Sequence, residues 1–212
     1  MRAGRALYAA TLDLTGATVV VLGAGKVAAQ KLKGLPQGLA KVRVVAPAAC
    51  PEVLAWVKKR PEAELQLRGF EPEDLRGCRL LFCCASDPEV NTYAARQARA
   101  LGAWTCQAAD PGQGDLRVPA VIHAAGLQMT LSTGGASPAM AKALRAHLEA
   151  WFKGSDLQWV LAQLDKRRGA LKADPKAKAA LLKGLGTPKA LALILAPRSA
   201  ARRKQIERLL KA

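Results

Sequence analysis

A short glycine-rich stretch, Gly23-Ala24-Gly25-Lys26-Val27-Ala28, follows an apolar, β-branched run at 18–22. A helix-compatible segment comes next, so the order is strand, glycine turn and helix. In this pattern Gly23 permits a tight turn, Gly25 lets the backbone approach a pyrophosphate, and Ala28 lets the helix pack on the strand. The helix start offers free N–H groups and a positive dipole end to phosphates. The stretch predicts a dinucleotide site more strongly than a purely structural turn.

The predicted second strand, Lys41 to Pro47, lacks the acidic residue that usually holds the ribose hydroxyls of a dinucleotide. Val45 and Ala46 occupy the expected place. The strand by itself therefore leaves the choice between NAD and NADP open. We expect Gly23→Asp to block the pyrophosphate by bulk and charge while the fold stays largely intact.

Asp110 is the second candidate for chemistry, because it follows a predicted strand at 103–108. Ligands of parallel sheets gather at the carboxyl ends of the strands. A carboxylate placed there can accept a proton. An Asp-Pro pair also begins turns, and Asp110 precedes Pro111 and Gly112. The residues alone favour neither interpretation.

A second glycine stretch, Thr133-Gly134-Gly135-Ala136-Ser137-Pro138, leads into a predicted helix that extends to about Lys153. Ser137 as N-cap and Pro138 at the first helical position indicate a helix start. The loop N–H groups and the helix dipole also suit an anion such as a carboxylate. Lys142 and Arg145 on this helix are further candidates for anion binding, or they are solvated surface charges.

Strand-like and helix-like segments alternate through the first half of the chain, which predicts an α/β fold with a doubly wound parallel sheet. Two further strands are expected near 118–123 and 127–132, and helices follow them. We therefore predict a Rossmann-type domain at 1–113, a small α+β region at 114–150 and a basic helical region at 151–212.

The chain of 212 residues carries a net charge of +17, and half of its residues are hydrophobic. The charge is uneven, with +6 on residues 1–150 and +11 on residues 151–212. Charge of this size speaks about partners rather than about the fold. The basic tail is expected to be a solvated face or to attract a polyanion.

Cysteines and histidines give no metal-ligand spacing. No zinc-type CxxC pair occurs, and the cysteines are expected to be buried thiols of a reducing compartment. They are Cys50, Cys78, Cys83, Cys84 and Cys106. His123 and His147 stand alone, so no metal site is predicted. No apolar run reaches membrane-spanning length, and we expect a cytoplasmic protein without a membrane partner.

With these stretches in view, the chain resembles the precorrin-2 dehydrogenase and sirohydrochlorin ferrochelatase family, the N-terminal module of sirohaem synthase. The resemblance covers roughly residues 5–150 and is most specific at the second glycine stretch. The stretches that carry it are Leu12-Asp13-Leu14, Val21 to Ala28, Val44-Val45-Ala46-Pro47, Ala85 to Asn91, Gln107-Ala108-Ala109-Asp110 and Leu131 to Pro138.

The resemblance implies an NAD-binding Rossmann domain, a central dimerisation region at 114–150, a helical C-terminal part and a homodimer. It implies oxidation of precorrin-2 to sirohydrochlorin, with hydride passing to NAD⁺. By motif match the cofactor contacts are Gly23, Gly25, Lys26, Val27, Pro47, Ala48, Ser86 and Asp87.

For the substrate, the resemblance makes Asp110 the candidate catalytic residue. Gln107 departs from the family, which usually has Asn there, and the sequence leaves open how its longer side chain affects the position of the substrate. Because precorrin-2 has eight carboxylates, the second glycine stretch and the helix after it become its candidate partners. They are Thr133, Gly134, Gly135, Ser137, Lys142 and Arg145.

Two other functions stay open at this point. One is a bifunctional dehydrogenase and sirohydrochlorin ferrochelatase, since members of the family differ in that activity. The other is a dinucleotide-sensing protein that binds nucleic acid through the basic tail. Aromatic residues in the tail occur only near its start, at Trp151, Phe152 and Trp159, which disfavours nucleic acid.

Overall fold

The computed structural model describes residues 8–110, 112–124, 126–134, 136–167 and 173–211. The chain divides into two compact units, with the boundary between Val118 and Pro119.

The first unit is a five-stranded parallel sheet in the order β3-β2-β1-β4-β5, with helices between successive strands. Its order reverses beside β1, where ligands of such sheets bind. The strands are β1 (Thr18–Leu22), β2 (Lys41–Val45), β3 (Ala63–Gln66), β4 (Cys78–Cys83) and β5 (Trp104–Gln107). The helices are α1 (Lys26–Lys33), α2 (Pro51–Lys58), a 3₁₀-helix (Pro72–Leu75) and α3 (Pro88–Ala100). The predicted α/β class is confirmed.

The apolar run of β1 is continuous because both faces of the strand are covered. Val19 and Val21 pack with residues of α1 and α2 on one face. Val20 and Leu22 pack with residues of α3 on the other. A central strand held from both sides fixes the position of the glycine turn that follows it.

Two short segments lie between α2 and β4 in the first unit. Strand β3 ends at Gln66, and Leu67 directly after it is exposed. The segment near Glu71 forms only a short 3₁₀-helix. Its Asp74 carboxylate accepts hydrogen bonds from Arg68, at 2.7 Å from Nη2, and from the Glu71 N–H, at 2.9 Å. These bonds close the segment into a single turn.

The second unit begins with an antiparallel hairpin, β6 (Ala120–Ala124) and β7 (Leu127–Leu131). The helices that follow are α4 (Pro138–Gly154), α5 (Leu157–Lys166), α6 (Pro175–Leu185), α7 (Pro188–Leu195) and α8 (Ala200–Lys211). Ile122, Ala124 and Phe152 form one core, between the hairpin and α4. Helices α5 to α8 share a second core around Ile206.

An ion pair with a buried carboxylate ties α8 to the start of α5. The Asp156 carboxylate is almost fully buried and accepts hydrogen bonds from the Arg203 guanidinium. The same guanidinium lies 4.9 Å from the ring centroid of Trp159. A buried carboxylate needs such a partner, because an unpaired charge in the interior is strongly destabilising.

The Asn91 side chain joins α3 to the loop that follows β4. Its Nδ2 donates to the Ala85 carbonyl at 2.8 Å, and its Oδ1 accepts from the Ala85 N–H at 3.1 Å. Asn91→Ala leaves both backbone groups without this partner and is expected to lower the free energy of unfolding by about 1–3 kcal/mol.

The measurement is native-state hydrogen exchange at the amides of β1 and β4, which reports the stability of this unit alone. Thr92→Ala is the matched control, because its hydroxyl bonds only the Pro88 carbonyl on the exposed side of the same helix. The control is expected to change stability by less than about 0.5 kcal/mol. Equal effects of the two substitutions would show that the Asn91 bridge does not hold the loop.

Candidate cofactor site

Gly23, directly after β1, is fixed by its own chain contacts. Its φ is +96°, which disfavours any side chain, and its N–H donates to the Val45 carbonyl at 2.8 Å. A Cβ at this position would lie 2.5 Å from the Cys84 carbonyl oxygen. The expectation that Gly23→Asp leaves the fold largely intact is therefore wrong, because the end of β4 would have to move.

Gly25 differs from Gly23, because it faces open space. Its φ is −86°, and no atom would lie within 4 Å of an added Cβ. It is the N-cap residue of α1, whose first turn holds the exposed Lys26 and Val27. Ala28, fully buried, lets α1 pack on the sheet. Bare backbone and the start of a helix thus lie together at the carboxyl edge of the sheet, the arrangement that binds a pyrophosphate.

The segment after β2 borders the same loop. The Cys50 N–H donates to the Ala24 carbonyl at 2.9 Å, which holds the start of α2 beside the glycine turn. Pro47 and Ala48 are exposed there, as the motif match requires of residues on the adenosine side. Position 45 is a buried valine, so it supplies no carboxylate to the ribose hydroxyls.

Sequence reasoning missed Glu52 as an acid beside this edge. It lies in the first turn of α2 and is exposed. Hydrogen bonds from its own backbone N–H and from Cys50, with the charge of Lys26 nearby, hold the pKa of Glu52 below its usual range. The carboxylate is therefore charged at neutral pH. The only signal in the sequence was its place one residue after Pro51, at a helix start.

Ser86 and Asp87 follow β4 on the same edge, and both are exposed. The Asp87 carboxylate accepts hydrogen bonds from the N–H groups of Glu89, at 2.8 Å, and Val90, at 3.4 Å. Asp87 therefore caps α3, a role that the sequence prediction did not assign to it. Ser86 remains a surface hydroxyl at the strand end.

The cysteines near this edge are neutral thiols. All five are free, Cys83 and Cys106 are buried, and Cys84 is half-buried. Burial raises the pKa of Cys83 and of Cys84 to about 12. The thiolate is the reactive form of cysteine, so these side chains do not serve as nucleophiles at neutral pH.

Asp110 lies on the surface after β5 and forms a turn with its own carboxylate. Its Oδ1 accepts from the Gly112 N–H at 2.8 Å, and its Oδ2 accepts from Gln113 Nε2 at 3.1 Å. The turn-forming interpretation is therefore correct as far as it goes. It leaves the carboxylate exposed at the carboxyl edge of the sheet, so a role in proton transfer stays a prediction.

Gln107 points away from this surface. Its side chain is buried, and Nε2 lies 3.5 Å from the Asn91 carbonyl oxygen in α3. This placement gives no support to an effect of the longer side chain on how the substrate binds. The length of Gln107 is used instead to reach across to α3.

In the second unit, the loop from Thr133 to Ser137 uses its polar groups within itself. The Thr133 hydroxyl accepts from the Ser137 N–H at 3.1 Å, and the Gly134 N–H donates to the Ser132 hydroxyl at 3.2 Å. Ser137 caps α4 through the Met140 N–H, as predicted. These donors are therefore not free for a carboxylate. Gly135, also predicted to bind substrate, lies outside the described residues.

Lys142 and Arg145 lie on α4, and they differ in their surroundings. Lys142 is exposed and has no ion-pair partner in the part of the chain that the structure describes. Arg145 approaches Glu149, with Nε 3.8 Å from the carboxylate, although no hydrogen-bond partner reaches this buried Nε. Lys142 is therefore the freer of the two cations, whereas Arg145 already has an acidic neighbour.

The described residues contain no cluster of three or more His, Cys, Asp or Glu side chains that could hold a metal ion. None of their helices is long and apolar enough to cross a membrane.

Two protein families match successive parts of this chain. A family described as putative NAD(P)-binding matches residues 10–120, and the sirohaem biosynthesis protein central family matches residues 126–150. Siroheme synthase of Pseudomonas putida is 33% identical over 139 residues, which cover 66% of this chain and 30% of the relative. Siroheme synthase of Gluconacetobacter diazotrophicus is 34% identical over 145 residues, again 66% of this chain and 30% of the relative. The chain thus spans about a third of the length of these curated relatives.

A solved structure, SirC, precorrin-2 dehydrogenase, shares the fold, with a TM-score of 0.75 and 23% identity. The match covers 97% of this chain and all of that one. From the glycine loop, the sheet order and the match over residues 10–120, we conclude that the chain belongs to the putative NAD(P)-binding family.

Proposed function

We propose that this protein oxidises precorrin-2 to sirohydrochlorin, with NAD⁺ as the hydride acceptor. The observation that supports the proposal is the bare backbone of Gly25 at the start of α1, in a chain whose second unit matches the central part of sirohaem biosynthesis proteins. Siroheme synthases and a precorrin-2 dehydrogenase are among the similar proteins. They support this substrate over other partners of a dinucleotide-binding fold.

The residues at the sheet edge fit the cofactor. Gly25 and the first turn of α1, with Lys26 and Val27, would hold the pyrophosphate. Pro47 and Ala48 would border the adenosine side, where Glu52 supplies a carboxylate for ribose hydroxyls. The bound nicotinamide ring supplies the hydride-accepting carbon. Gly23 contributes by placing the turn.

We assign proton removal to Asp110. Dehydrogenation removes a hydride and a proton from the substrate, so a base is needed beside the acceptor. The Asp110 carboxylate is ready for this role, because hydrogen bonds from Gly112 and Gln113 fix its orientation while it stays exposed. In the second unit, Lys142 and Arg145 would bind substrate carboxylates. Thr133, Gly134 and Ser137 shape the loop before them.

We further propose a cytoplasmic homodimer that uses the hairpin and α4. Met140 and Leu144 lie one turn apart on α4 and are 55% and 40% exposed. Met129 on β7 is 38% exposed, and β7 pairs only with β6 among the described strands. An apolar helix stripe beside an open strand edge suits a second copy of this chain.

Gly25→Asp tests the proposed cofactor site, because the protein has room for a side chain at this position. Asp is a favoured N-cap residue, so α1 is expected to stay folded. A carboxylate in the pyrophosphate position should weaken NAD⁺ binding by at least about tenfold through charge repulsion, an effect of about 1.4 kcal/mol. Isothermal titration calorimetry measures the affinity.

Lys33→Gln is the control, since it makes the same change in net charge at the other end of α1. It should bind NAD⁺ nearly as the parent does. Parental affinity in Gly25→Asp would show that the dinucleotide does not bind at this turn.

The catalytic prediction compares two substitutions of Asp110. Asp110→Asn keeps an oxygen that accepts from the Gly112 N–H, so the turn survives while the proton acceptor is lost. Both Asp110→Asn and Asp110→Ala are then expected to slow single-turnover NADH formation by about 10²–10⁴-fold. NAD⁺ affinity should stay unchanged in both. If Asp110→Asn reacts like the parent and only Asp110→Ala is impaired, Asp110 is a turn residue alone.

The dimer prediction concerns Leu144→Glu, which places a charge in the apolar stripe of α4. Analytical ultracentrifugation should show a dimer for the parent and a monomer for the variant, with the circular dichroism of the parent retained. Ala146→Glu on the same helix is the comparison, because that exposed position lies on a different face from Met140 and Leu144. A parent that sediments as a monomer would contradict the assignment.

A further inference from the structure

The helical end of the second unit carries an unbroken excess of positive charge. Between Pro175 and Ile206 the sequence has eight Lys and Arg residues and no Asp or Glu. A solvated protein surface usually mixes both signs. A run of this length without Asp or Glu therefore indicates a polyanionic partner.

The structure separates these cations into two groups. Arg198, Arg202 and Arg203 bond to the protein itself, through the Ser155 carbonyl, the Pro197 carbonyl and the Asp156 carboxylate. They hold the helices together.

The second group points outwards, and we call it the cationic face. Its members are exposed, and none of their side chains has a hydrogen-bond or ion-pair partner among the described residues. The cationic face consists of Lys176, Lys178 and Lys183 on α6, Lys189 on α7 and Lys204 on α8. These charges have no structural task in the fold, so they are available for a ligand.

A rigid hairpin between α6 and α7 presents part of this face. Thr187 fixes the turn, because its hydroxyl donates to the Gly184 carbonyl at 3.1 Å and accepts from the Ala190 N–H at 3.2 Å. An added Cβ at Gly184 would meet no atom within 4 Å, so the backbone is bare on its outer side. Lys183 and Lys189 flank the turn.

We propose that the cationic face binds double-stranded nucleic acid through its phosphate backbone. Duplex DNA carries one charge per about 1.7 Å of axis, so several lysines spread over three helices can each meet a phosphate. Such contacts position the duplex without reading its sequence.

The lack of aromatic residues beyond Trp159 argues for a duplex rather than a single strand. Single strands are held largely by stacking on aromatic rings, which this face does not offer. The shortage of aromatic residues in the tail is therefore an argument against a single strand and not against a duplex.

A membrane surface is a poorer match for the same charges. Interfacial helices insert an apolar face rich in Trp, Phe or Leu. Here Leu181, Leu185 and Ile194 are buried in the core of the unit. Only Leu182 and Leu191 among the large apolar residues of α6 and α7 are strongly exposed.

The test is fluorescence anisotropy of the full chain with a labelled mixed-sequence DNA duplex, across a salt series. The parent should bind with a Kd of about 10⁻⁴–10⁻⁶ M near physiological salt, and affinity should fall linearly with salt on logarithmic axes. Lys183→Gln/Lys189→Gln should weaken binding and make the slope shallower by about 2, one for each lost phosphate contact.

Lys58→Gln/Lys59→Gln is the matched control, since it removes two exposed charges from the end of α2 in the first unit. Its slope should equal that of the parent. Equal losses in the two variants would overturn the proposal, because the attraction would then come from net charge alone. So would tighter binding to a single strand, to polyglutamate or to phosphatidylglycerol vesicles than to the duplex, or no binding to the duplex at all.

Discussion

The close approach of two backbones, at Gly23 and Cys84, is the constraint on which the cofactor site depends. A side-chain carbon at Gly23 would lie 2.5 Å from the Cys84 carbonyl oxygen, so only glycine lets β1 turn there. The Cys84 N–H donates in turn to the Leu22 carbonyl at 2.7 Å. The ends of β1 and β4 are therefore locked together at the point where the sheet order reverses. The candidate residues for binding a dinucleotide lie next to this junction.

Gly23 and Gly25 of the first glycine-rich stretch therefore have different roles. Gly23 serves the protein, since its absent side chain makes room for another strand. Gly25 serves a ligand, since its absent side chain leaves room that no protein atom fills. Both look alike in the sequence. Substituting the first disturbs the fold, and substituting the second isolates the binding function.

Local features of this chain were predictable from the sequence. The buried run of β1, the glycine turn, and the N-cap at Ser137 each follow from neighbouring residues. What escaped prediction depends on contacts between distant segments. Gln107 turns inwards because α3 lies across from β5, and Cys84 meets Gly23 because β4 pairs beside β1. A single sequence carries no direct record of such pairs.

The polar groups of the candidate site show the same limit. Asp87 and Asp110 both follow strand ends, as the sequence predicts. The sequence also indicates the turn at Asp110, but not the helix cap that Asp87 provides. The Asp87 carboxylate accepts a hydrogen bond from the first turn of α3. The Asp110 carboxylate accepts one from Gly112 in its own turn and stays exposed. Short-range partners of this kind compete with ligand binding. The sequence identifies the acid, and the geometry decides how much of it is free.

The most direct measurement is an anaerobic incubation of the purified protein with precorrin-2 and NAD⁺, in which NADH and the tetrapyrrole product are quantified together. The account predicts one NADH for each sirohydrochlorin formed, and neither product without the protein. Binding of NAD⁺ with no oxidation of precorrin-2 would contradict the proposed function while leaving the cofactor site in place.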